Sequence, residues 1–172
     1  MPKLFLIEEF KLYGKVGFYT IRDEQKQDSE TDNFIQRFFD KNHPNHQVGF
    51  YDDLTIILEW IEQIGKRGFG ICSLRHENEA KALPPNHVSA KDLLYLGKRK
   101  GKLRLYCIPL PPGVMLLCGG GIKTSPKVQD SPDVLPHFRL ANQIASKITE
   151  DLTTQELIVE DVKLKGNMEI WL

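Results

Sequence analysis

The chain has 172 residues, with 23 basic and 23 acidic side chains, 41 % apolar residues and 27 % charged ones. That is one domain's worth of ordinary globular composition, which excludes collagen-like and disordered chains and leaves enough apolar material for a core. No run approaches the roughly 18–20 apolar residues of a membrane helix, and the opening stretch meets Glu8 and Glu9 too soon for a signal peptide. Three scattered cysteines, Cys72, Cys107 and Cys118, make no disulfide framework, so a cytoplasmic setting is expected.

Phe5–Leu12 and Lys15–Ile21 are rich in β-branched and aromatic residues and predict a strand pair joined at Gly14. After a polar loop over 23–29, Thr31 or Asp32 is the expected cap of a first helix. In it Phe34, Ile35, Phe38 and Phe39 recur at one-turn spacing until Asn42–Asn45 ends it. A second helix, about 52–66, is the clearest element. Asp52 and Asp53 place negative charge on its unpaired N–H groups, Ile56, Ile57, Trp60, Ile61 and Ile64 make an apolar stripe, and Gly65 with Gly68 ends it. Phe69–Leu74 allows a short strand, and His76–Ala90, carrying Pro84 and Pro85, reads as loop.

Leu103–Pro109 alternates, Leu110–Gly113 supplies turn chemistry, and Val114–Cys118 is a continuous apolar run. Together they predict a hairpin whose second strand is buried on both faces. A helix follows from about Ser131–Pro132 to Lys147, with Leu135, Phe138, Ala141, Ile144 and Ile148 on its apolar face. Leu157–Val159 and Met168–Leu172 predict a terminal hairpin around Lys165–Asn167.

Several motifs invite chemistry and are better read as structure. Gly119-Gly120-Gly121-Ile122-Lys123-Thr124 follows an apolar strand like a phosphate loop, but such a loop needs Gly directly before Lys and a helix opening at once. Here Ile122 intervenes, so the glycines mark a bend, a bulge or a close backbone approach. His43 and His46 lie in a Pro/Asn turn with no further ligand at a matching spacing, so no metal is expected. The cysteines fall in or beside strands as small apolar residues, and no local signal pairs one with a His.

The neutral total hides an asymmetry. Residues 91–127 hold eight basic side chains and one acidic, whereas 1–65 and 128–172 are net negative. The densest part is Lys98-Arg99-Lys100-Gly101-Lys102-Leu103-Arg104. Such a block is a candidate footprint for a phosphate-bearing partner, or a solvated turn that aids solubility. Arg104 stands on a strand and is held more rigidly than Lys98–Lys100. Its guanidinium can grip phosphate at two points, Tyr106 and Ile108 share its face, and Lys123 ends the neighbouring strand.

The block Lys102-Leu103-Arg104-Leu105-Tyr106-Cys107, a turn, Val114–Thr124 with its three glycines, and Ala141-Asn142-Gln143-Ile144-Ala145 resembles the RelE/HigB superfamily of toxin–antitoxin toxins, in its phage-derived Gp49-like branch. The resemblance covers about residues 16–150 of a single domain, leaving 1–13 as an added strand and 151–172 as an added hairpin. It implies an α+β fold with a curved, mainly antiparallel sheet against two N-terminal helices. It implies a cofactor-free endoribonuclease that cleaves mRNA, with an antitoxin and the ribosome as partners. Arg104 and Lys123 would then stabilise phosphorane charge, Tyr106 or His87 would move protons, and Lys98, Arg99, Lys100 and Lys102 would steer RNA. Two other readings stay open: a non-catalytic nucleic-acid- or protein-binding relative, and an unrelated small-molecule enzyme with a pocket at Gly119–Gly121.

Overall fold

The computed structural model describes residues 1–98 and 101–172; Arg99 and Lys100 of the basic run lie outside the described residues. β1 (Leu4–Leu12) and β2 (Gly17–Asp23) pair antiparallel, as their β-branched content predicts. Ser29, rather than Thr31 or Asp32, caps α1 (Glu30–Phe39): its hydroxyl accepts from the Asp32 amide at 3.1 Å. Thr31 faces inward instead, sharing a 2.6 Å hydroxyl contact with Thr20 and donating to the Cys118 carbonyl. α2 (Tyr51–Arg67) matches its predicted stripe and closes on Gly68, whose φ of 95° favours glycine. It buries Leu54, Ile57, Trp60, Ile61 and Ile64, each worth about 1.5–3 kcal/mol of transfer free energy.

The largest correction concerns the stretch read as loop. β3 (Cys72–Glu77) and β4 (Ala80–Val88) form a hairpin, and β4 carries Pro84 and Pro85. Proline gives no ladder N–H, but the pairing jumps from Ser73↔His87 to Arg75↔Ala82, and both prolines sit in the interruption. After α3 (Leu94–Gly97), β5 (Leu103–Leu110) and β6 (Val114–Ile122) form the predicted hairpin. β6 runs through the glycines to Ile122, four residues beyond the expected end at Cys118, and is buried over most of its length.

α4 (Leu135–Thr153) starts later than expected, with Pro136 rather than Pro132 in its first turn, and continues past Lys147. The terminal hairpin is also re-paired. β7 (Leu157–Glu160) pairs with β8 (Lys163–Gly166), while β9 (Glu169–Trp171) joins the sheet edge beside β1.

The strand order among the described residues is β3-β4-β5-β6-β2-β1-β9, antiparallel except where β2 lies parallel to β6. The protein is thus α+β with a large, mostly antiparallel sheet. One face, with Tyr19, Ile21, Tyr106, Leu116 and Cys118, packs on α4 and the β7–β8 hairpin. The other, with Phe18, Leu83, Leu105 and Leu117, packs on α1 and α2. Helices therefore cover both faces. Among the described residues no helix is long and apolar enough to cross a membrane.

Candidate functional site

The register of β5 on β6 brings the two predicted cations together. Leu103 faces Ile122, Arg104 faces Gly121, and the Lys123 amide donates to the Lys102 carbonyl at 2.7 Å. The start of one strand and the end of the next therefore deliver Lys102, Arg104 and Lys123 to one sheet end. They line an open groove of about 380 Å3 with Arg75, Gly101, Thr124, Ser125 and Pro126. Among the described residues no carboxylate lines it.

Arg104 is held, not floating. Its Nη1 donates to the carbonyls of Gly101 at 2.8 Å and Leu103 at 2.9 Å, and its Nε is buried without a partner. Burial first, and then the nearby Arg75 charge, push the guanidinium below its ordinary basicity. Glu77 and Asp53 counter this, more weakly. Asp53 also fixes the basic turn, its Oδ2 accepting from the Lys102 amide at 2.9 Å. Among the described residues Arg104, Lys102, Lys123 and Arg75 make no ion pair.

The other predicted residues stand apart from the groove. Tyr106 is fully buried against Phe138, ring centroids 6.0 Å apart, and its hydroxyl has no partner among the described residues. Burial, with Glu77, pushes its phenol well up from its ordinary value, so it is neutral at physiological pH. His87 is exposed on β4 opposite Ser73 and is not among the groove-lining residues; Lys98 is exposed after α3. Arg75 was missed because β3 was expected to end at Leu74. The signal was the continuing alternation of Ser73, Arg75 and Glu77.

The glycine run is a close-approach device. A Cβ at Gly119 would lie 2.7 Å from His137 Nδ1 and 3.2 Å from Glu30 Oε2. One at Gly120 would enter the Arg104 carbonyl oxygen, and one at Gly121 would meet Asp133. Asp133 in turn accepts from the Ile122 amide at 2.6 Å and from Arg37 Nη2 at 2.9 Å. The space beside the glycines is thus taken up by His137, Asp133 and the β5 backbone. The turn histidines are likewise used locally, His43 Nε2 meeting Asn33 Oδ1 at 3.1 Å and His46 Nδ1 meeting the Arg37 carbonyl at 3.0 Å.

Two predictions follow from titration. Burial pushes the His137 imidazole below its ordinary value near 6.5, against the opposing pull of Glu30 and Asp133. The unfolded chain then binds the proton first, so stability is full above about pH 6.5 and falls as pH falls below it. The urea midpoint should drop between pH 7 and 5, and His137→Gln should flatten that slope; an unchanged slope removes His137 as its cause. Burial also raises the thiols, Cys72 to about 11 and Cys107 and Cys118 further. All three are free, and iodoacetamide at pH 7.5 should label them slowly until the chain is unfolded.

Comparison of the chain with models of protein families, with curated proteins and with solved structures returns no match.

Proposed function

We propose that the protein binds the phosphate backbone of RNA at the Arg104 groove. One observation carries this reading: four cationic side chains converge on a groove that, among the described residues, no carboxylate lines. Positive charges held close together repel one another in the free protein, Glu77 and Asp53 offsetting this only in part at Arg104, and a bound polyanion relieves that cost. Arginine adds planar, two-point recognition of phosphate. In the RelE/HigB-like reading, the same cations would stabilise a charged phosphorane. The non-cleaving relative is the better supported form, because neither proposed proton carrier, Tyr106 or His87, lines the groove.

Cleavage is a second reading, favoured by the unpartnered Tyr106 hydroxyl and its electrostatic interaction with Arg104. It requires Tyr106 to emerge when RNA binds.

The test is the anisotropy of a labelled single-stranded RNA titrated with protein at several salt concentrations. Contact with phosphate releases counter-ions, so log affinity should fall linearly with log salt. Affinity independent of salt, or none at low salt, sinks the binding reading. Intact RNA after prolonged incubation, and unimpaired growth on expression, sink the cleaving one.

A further inference from the structure

We infer that the groove is built for a phosphate monoester, the terminal phosphate of an RNA end, in preference to an internal phosphodiester. The inference rests on the RNA-binding reading and narrows it to a substrate class.

Arg75, Arg104, Lys102 and Lys123 surround a space of about 380 Å3. Neither arginine is free to swing away. Arg75 Nε donates to the Pro84 carbonyl at 2.9 Å, and Arg104 Nη1 to the Gly101 carbonyl at 2.8 Å. Two guanidiniums are therefore kept near enough for one to depress the basicity of the other. That arrangement concentrates positive charge at one spot, where a track for an RNA strand would spread it along the chain.

An internal diester carries one negative charge and two non-bridging oxygens. A terminal monoester carries about −1.5 to −2 at neutral pH and offers three strong acceptor oxygens. The monoester matches the charge density. Backbone amides do not compete for the ligand at the adjacent loop, since those of Thr124 and Ser125 already donate to Ser131 Oγ. Recognition there falls to the cations.

The experiment compares one short RNA sequence in three forms: 5′-phosphorylated, 3′-phosphorylated, and hydroxyl at both ends. At least one phosphorylated form should bind about tenfold more tightly than the hydroxyl form, and which one identifies the end that is read. AMP should displace it where adenosine does not, a measurement that needs no variant. Arg75→Ala should erase the preference while leaving weaker, salt-sensitive binding. Equal affinity for all three RNAs, or equal displacement by AMP and adenosine, overturns the monoester inference and leaves RNA binding standing. Absence of binding to every RNA overturns both.

Discussion

Arg104→Ala is expected to fold as well as the parent chain and to bind RNA about tenfold to a hundredfold more weakly, the loss of about 1.5–3 kcal/mol that a charge-assisted contact to phosphate is worth. The two effects separate because the side chain is poorly compensated in the free protein. It makes no ion pair among the described residues, its Nε is buried without a partner, and Arg75 repels it. Truncation gives up two hydrogen bonds to carbonyls and some packing, but it also removes that repulsion and the desolvated charge. The thermal midpoint should therefore move by only a few degrees. Arg104→Lys should fall between the two, since it keeps the charge and loses the fork. An Ala variant that binds RNA like the parent would remove Arg104 from the interface, whatever its effect on stability.

The sheet was readable where one residue type dominates an element. The Ile56–Ile64 stripe marked α2, and the unbroken Val114–Cys118 run marked a strand covered on both faces. What stayed hidden depended on partners distant in sequence. Pro84 and Pro85 argue for loop in any local window, and only the jump in β3–β4 register makes room for them. β9 looked like the return arm of a terminal hairpin until its pairing with Leu4–Leu6 across the whole chain took precedence. α4 begins at Leu135, three to four residues after Ser131–Pro132, and Ser131 is occupied elsewhere: its hydroxyl accepts from the amides of Thr124 and Ser125.

The site divides along the same line. Arg104 and Lys123 could be joined from sequence, because a hairpin fixes which residues of its two strands are neighbours. Arg75 could not, since its place depends on a strand pairing the prolines disguised. Tyr106 was placed on the correct strand face, but its depth was not legible: α4 covers that face, and Phe138 closes over the ring. Alternation reports which side a residue takes and says nothing of what is packed there.

Gly120→Ala should be strongly damaging, lowering stability by more than about 2 kcal/mol. The added methyl would enter the carbonyl oxygen of Arg104 and crowd the Leu105 Cα, both backbone atoms that no rotamer change can move. The pairing is irregular here, with Cys118 and Gly119 of β6 opposite the single residue Tyr106 of β5, and the clash is relieved only by prising β5 from β6. Those strands carry Arg104 and position the flanking Lys102 and Lys123, and whatever fraction still folds should bind RNA less well than its stability alone accounts for. Gly14→Ala is the control, since nothing lies within 4 Å of its added methyl; its urea midpoint should match the parent within about 0.5 kcal/mol. A Gly120→Ala protein with parental stability and affinity would mean that the β5–β6 contact has slack, and the fixed spacing of Arg104 and Lys123 would lose its structural basis.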